Sequence, residues 1–196
     1  MLQFEQTIEP KSSEVVLDVG GDPRTWIIRP QLTQRVDCLN VKPSKWEESK
    51  FPTHKINTIV GDGCDLEHND GSYDIVYSNS VIEHVGDWDA QKAFAREIMR
   101  VGKKIWIQTP AIECPIEPHF LAPFVHWLPV IVRRRALRWF SVWGWVSKPS
   151  QQTIDRTIDS IRLLSKKQVK ELFSDCEIMT ERLFLVFPKS YIIYRK

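Results

Sequence analysis

Asp18, Asn40 and Asp62 fall at equal intervals of 22 residues. That interval is one strand-helix-strand unit. In a parallel sheet it brings all three to the carboxyl ends of adjacent strands, where ligands bind. Carboxylates and amide oxygens accept hydrogen bonds from hydroxyls and amines. A ligand across that edge is gripped at three points: a charged end, a ribose and a base. Asp18 lies in Glu14–Pro23, EVVLDVGGDP. The adjacent Gly20 and Gly21 let a backbone approach a ligand, since no Cβ intervenes. Asp22 and Pro23 suit a helix start, one as a cap and one at the first turn.

Histidines form the second reactive set, because they titrate near neutral pH. His84 follows the fourth strand. His119 and Glu117 sit in IEPHF after the fifth strand, and so share the same edge. His126 lies a little further on. His54 and His68 fall in polar loops and read as solvated.

The elements that position these residues alternate between strand and helix, which favours a parallel sheet with helices on both faces. Strands are expected at Val15–Val19, Arg35–Val41, Ile56–Val60, Asp74–Ser78 and Lys103–Thr109, the last ended by Pro110. A short helix should start at Pro23, and Pro30 should end or kink it. Residues 42–55, with two prolines, read as a loop holding one helical turn. A longer helix is capped by Asp87 or Asp89, carries Ala90, Phe94 and Ile98 at helical spacing, and closes at Gly102. Ser165 and Gln168 form a capping box for the last helix, with Leu164 stapled to Val169. Two closing strands, 177–187 and 190–195, should turn at Pro188 and Lys189. Residues 111–164 break the alternation and read as an insertion in a single domain of 1–196.

Lys plus Arg is 27 and Asp plus Glu is 25, for a net charge of +2. That balance gives no case for nucleic acid. Cys38, Cys64, Cys114 and Cys176 are dispersed, so no metal centre is expected, and reduced cytoplasmic thiols are the simpler reading. No stretch supplies the roughly 18 apolar residues of a membrane span. The start of the chain lacks the apolar run of an export signal.

The motifs VVLDVGG, IVGDGCDL and YDIVYSNSVIEHVGD together resemble class I S-adenosylmethionine-dependent methyltransferases, most closely the type 11 group. The resemblance covers about 14–110 and the closing elements. It implies a Rossmann-like seven-stranded sheet of order 3-2-1-4-5-7-6, with the last strand antiparallel. It also implies S-adenosylmethionine as cofactor. Asp18, Gly20 and Gly21 match the motif that holds its amino-acid end. Asp62 matches the acid on the adenine amine, with Gly63 and Cys64 offering backbone N–H groups. Ser78 and Asn79 match the segment under the methionine. Two departures stand out. Asp22 replaces a glycine and is expected to receive the cofactor's ammonium, or Arg24 its carboxylate. Asn40 replaces an acid on the ribose, a change that should weaken binding by roughly 1–2 kcal/mol.

The sulfonium is already a strong electrophile, so the protein must chiefly align a nucleophile. An oxygen or carbon nucleophile also needs a base. The expected base is His119, with Glu117 orienting it or touching substrate, and His84 as a further candidate. A nicotinamide enzyme would want G-x-G-x-x-G, which Gly20-Gly21-Asp22-Pro23 does not supply. A non-catalytic scaffold on the same fold is the competing class.

The insertion carries FLAPFVHWLPVIVRRRALRWFSVWGW, residues 120–145, which mixes aromatics with Arg133, Arg134, Arg135 and Arg138. It reads as a lid over the acceptor, with a peripheral membrane contact and a homodimer surface as the other uses. The acceptor expected from it is a small or lipid-like molecule.

Overall fold

The computed structural model describes residues 1–46 and 53–196. Five parallel strands form the frame: β1 (Val15–Val19), β2 (Arg35–Asn40), β3 (Ile56–Val60), β4 (Tyr73–Asn79) and β5 (Gly102–Pro110). A two-residue ladder in the insertion supplies β6 (Ile116–Glu117) and β7 (Ala122–Pro123). The chain closes with β8 (Glu177–Leu183) and β9 (Phe187–Arg195). The main sheet has order β3-β2-β1-β4-β5-β9-β8, with β9 antiparallel to both neighbours. This is the expected 3-2-1-4-5-7-6 once the β6–β7 ladder is set aside.

The period-2 alternation of the strands feeds two cores. On one face Leu17, Val76, Ile105 and Ile107 pack with α3 (Trp88–Val101) and α7 (Lys166–Leu172). On the other, Val16, Ile75, Tyr77 and Trp106 pack with α1 (Leu2–Ile8), which buries Phe4 and Ile8. Phe4 meets Trp26, Tyr77 and Trp106 edge to face, an arrangement aromatic rings favour. The polar start of the chain hid this helix: seven residues carry too few apolar positions to show a period. Trp26 lies on α2 (Arg24–Ile27), which starts after Pro23 as expected.

Asp87 caps α3 by accepting from the amides of Asp89 and Ala90. Gly102 closes α3 differently from expectation. Its φ is −92°, so no left-handed turn forms and helix passes directly into strand. A Cβ there would lie 2.7 Å from Val76 Cγ2, so the residue is small because β4 is close. The Ser165–Gln168 capping box is present, and Leu164 and Val169 share a core.

The last hairpin turns at residues 184–186, earlier than Pro188 and Lys189 suggested. Phe184 and Leu185 both have positive φ, 50° and 63°. A tight hairpin needs that geometry, usually from Asn-Gly, so Phe-Leu gave no turn signal. Pro188 instead sits inside β9, next to a bulge at Glu181/Arg182, where a missing N–H is tolerated. The expected helical turn within 42–55 lies partly outside the described residues.

Within the insertion, α4 (Val130–Ala136), α5 (Val142–Ser147) and α6 (Gln151–Asp159) surround a small core of their own, formed by Phe120, Val125, Leu137, Ile154 and Ile158. No helix among the described residues is long and apolar enough to cross a membrane.

Candidate active site

The tips of β1, β2 and β3 border an open groove of about 400 Å³, lined by Gly20, Asn40, Asp62, Gly63, Val81 and His84, among others. A second hollow continues past Gly21, Asp22 and Asn40 towards Trp46. The two share Gly20, Asn40 and Val41, so one extended ligand can run from Asp62 to the Asp22 loop.

The residues behind this edge have other duties than the sequence suggested. Asp18 is buried, at 1% exposure, and its Oδ2 accepts from Trp26 Nε1 at 2.7 Å. Burial pushes its carboxyl up to about 7. Its Oδ1 has no hydrogen-bond partner among the described residues. Gly21 covers it, and a Cβ on Gly21 would lie 1.9 Å from Oδ2. Gly20 adopts φ +77°, and a Cβ there would meet Val81 Cγ2 at 2.4 Å. Both glycines are therefore required by the protein's own packing, before any ligand is considered.

Asp22 pairs with Arg24, so neither waits as a free charge for an incoming ammonium or carboxylate. That pairing holds the Asp22 carboxyl below the usual range. Asn40 donates from Nδ2 to the carbonyl of Gly21 at 2.8 Å, which leaves its Oδ1 for a ribose hydroxyl. The amide thus ties two strand tips together, which a carboxylate could not do. Asp62 accepts from the Cys64 amide at 2.9 Å. The Cys64 N–H is therefore already used, contrary to expectation, and the Cys64 thiol faces the Ala90 carbonyl. Gly63 is buried against Phe94 and Val19. Ser78 is also buried: its hydroxyl donates to the Val19 carbonyl at 3.0 Å and clamps β4 to β1. Asn79 accepts from the Ser80 hydroxyl. The groove wall expected from Ser78 and Asn79 is formed one step later, by Ser80 and Val81. Chain direction explains the shift, since Ser80 turns with φ 56° and swings Val81 over Gly20.

His119, Glu117 and His84 come together. Glu117 Oε1 lies 2.6 Å from His119 Nδ1, and His119 Nε2 lies 3.2 Å from His84 Nε2. Glu117 is 1% exposed, and its Oε2 accepts from the Phe120 amide at 2.8 Å. The carboxylate raises the pKa of His119, whereas burial lowers that of His84. His84 Nδ1 faces the Ser160 carbonyl at 3.4 Å. A doubly protonated His119 donating to a neutral His84 satisfies every one of these contacts. Glu83 accepts from Thr109 Oγ1, and its Oε1 has no partner among the described residues. Glu83, His84 and His119 each offer a donor atom within 4.8 Å of the others, so a cation would find its ligands here. The hydrogen bonds already made account for the two histidines without one. His126 stands apart, bonded through Nε2 to the Ile112 carbonyl.

Sequence reading missed several members. Trp26 holds Asp18, Val81 roofs Gly20, and Gln91 donates to the carbonyls of Ile82 and Arg162, fixing the segment that carries Glu83 and His84. Only the helical position of Gln91, one residue after Ala90 on the apolar stripe, carried a signal for it.

Beyond Glu117, under the insertion, lies a cavity of about 260 Å³ lined by Glu117, Phe120, His126, Arg133 and Arg162, among others. His84 borders the groove and Glu117 borders this cavity. The Glu117–His119–His84 chain therefore spans the partition between the two.

A family model described as a methyltransferase domain matches residues 28–104. Solved structures resemble the chain over most of its length. A SAM-dependent methyltransferase from Aquifex aeolicus shares 13% identity, with a TM-score of 0.53, over 94% of this chain and 82% of the other. A protein from Pyrococcus horikoshii OT3 shares 15%, with a TM-score of 0.61, over 98% and 85%. A Rhodobacter sphaeroides protein described as a putative zinc-dependent alcohol dehydrogenase shares 12%, with a TM-score of 0.62, over 98% and 86%. At such identities the likeness is one of fold.

Proposed function

The chain has the class I methyltransferase fold, and from that premise we propose that it transfers a methyl group from S-adenosylmethionine to oxygen or carbon on a small or lipid-like acceptor. The groove suits that cofactor: it is open, it runs past three strand tips, and Asn40 Oδ1 and an exposed Asp62 carboxylate offer acceptors along it. When bound, the cofactor supplies an electrophilic methyl on a positive sulfur. Asp62 would accept from the adenine amine and Asn40 from the ribose. Behind Gly21, Asp18 Oδ1 is a buried acceptor without a partner among the described residues.

The observation that carries the catalytic half is the Glu117–His119–His84 chain between groove and cavity. The acceptor enters from the cavity beneath the insertion. Its hydroxyl or acidic C–H replaces His84 as the neighbour of His119 Nε2. When the acceptor takes that place, the Nε2 proton that His119 shared with His84 leaves to solvent through the open groove, while Glu117 keeps the other proton on Nδ1, so the lone pair of the now neutral ring is on Nε2. The acceptor's proton would pass to His119 Nε2 as its bond to the methyl forms and the sulfonium's own bond to that methyl breaks, with S-adenosylhomocysteine as the leaving group. Glu117 then stabilises the imidazolium. A positioned base of this kind contributes typically 10²–10⁴-fold.

Calorimetry with S-adenosylhomocysteine tests the cofactor half. An empty titration favours the scaffold reading. A pool of hydroxylated small molecules and lipids, incubated with labelled methyl donor, tests the acceptor half, and labelled product should vanish with His119→Ala.

A further inference from the structure

The insertion leaves its apolar side chains outside. No residue of α4 is buried. Ile131 is 69% exposed, Phe140 70% and Val146 78%. Trp139 and Trp145 are exposed beside them. Trp145 Nε1 donates to the Trp139 carbonyl, so these two exposed residues adjoin, and exposed apolar side chains gathered in this way mark an interaction site. The hairpin between β8 and β9 adds a second patch, with Leu185 88% exposed at its tip. Both lie past the carboxyl end of β5. β9 runs back along β5 from Ser190 opposite Pro110, and the Ala111 amide, where the insertion departs, donates to the Lys189 carbonyl at 3.1 Å.

Charge narrows the partner. Between Glu117 and Asp155 the chain has no acidic residue but four arginines and one lysine. Arg134 is occupied by Asp159 at 2.7 Å, and Arg133 donates to the His126 carbonyl. Arg135 and Arg138 are exposed and pair with no carboxylate among the described residues. A two-fold dimer through this face would bring those arginines against their own copies with no acid to offset them. An anionic bilayer offers the opposite: headgroup phosphates for the arginines and an apolar boundary for Trp, Phe and Ile.

We infer that α4, α5 and the β8–β9 tip dock this protein on the surface of an anionic phospholipid bilayer. The docking lies in the plane of the interface, since no helix here can span it. Docking itself does not require methyl transfer; delivery of a lipid acceptor to His119 rests on the function proposed above.

Flotation with vesicles of phosphatidylcholine, alone or with about a third phosphatidylglycerol, tests this. Wild type should float with the anionic vesicles and lose most of that binding in neutral ones. Removing Arg135 or Arg138 should lower partition about fivefold per charge, and added salt should do the same. Ile131→Ser/Phe140→Ser/Val146→Ser should abolish flotation while leaving the thermal midpoint and S-adenosylhomocysteine binding intact, because all three side chains are exposed. Absence of flotation for wild type overturns the inference, as does equal flotation of the triple variant. A concentration-dependent dimer that the triple variant abolishes, seen by sedimentation, also overturns it and assigns the face to a second copy. S-adenosylhomocysteine binding without flotation would sink the docking alone; flotation without binding would sink the enzyme reading alone.

Discussion

Asp18 offers the sharpest test of how the groove is built. Its carboxyl is buried, raised to about 7, and among the described residues finds a partner on one oxygen only. A raised acid holds its proton in the folded state at pH values where the unfolded chain has lost it. Its contribution to stability is therefore full below about pH 4 and is lost as pH rises through 7. With an unfolded value near 3.8, the loss between pH 5 and pH 8 comes to roughly 2–3 kcal/mol at 1.36 kcal/mol per unit. That is a large share of the stability of a domain. Asp18→Asn removes the titration, and its amide oxygen can still accept from Trp26 Nε1. Urea unfolding of both proteins at pH 5, 6.5 and 8, without ligand, should show the variant gaining on wild type by that amount as pH rises. Parallel profiles would refute the burial argument. A variant that loses stability at every pH would mean the Trp26 contact needs the charge.

Other outcomes follow from single contacts. Asn40→Asp restores the acid usual at this position in the family that the sequence resembles, yet it should weaken S-adenosylhomocysteine binding by about tenfold, because a carboxylate would face the Gly21 carbonyl where Nδ2 now donates; calorimetry reads it. Glu117→Gln should cut turnover on whichever acceptor the screen finds by about 10²-fold or more with cofactor binding unchanged, since the amide no longer stabilises the imidazolium. Gly20→Ala should cost roughly 1–3 kcal/mol in urea unfolding, from positive φ and the 2.4 Å approach to Val81. Replacing Phe184-Leu185 by Asn-Gly should raise stability by about 1 kcal/mol, since those residues prefer the φ of 50° and 63° found there; a thermal melt checks it.

The frame was legible in the order of residues alone. The 22-residue rhythm of Asp18, Asn40 and Asp62 fixed which strand tips are neighbours, because each interval is one crossover and crossovers share one hand. Apolar alternation fixed the seven strands, and the Asp87 and Ser165 caps fixed two helices. It also brought Glu117, His119 and His84 to one edge. Tertiary structure alone decided what those side chains touch. Spacing does not say that Trp26 takes Asp18, that Arg24 neutralises Asp22, that Ser78 turns inward to Val19, or that Val81 fills the space over Gly20. Nor could it tell an apolar insertion that packs from one that stays exposed, since both are written with the same residues. The physical reason is common to all of these. Element type and order follow from local periodicity, whereas a hydrogen bond or a packed contact depends on which distant segment arrives within about 4 Å, and that is set by the whole chain at once.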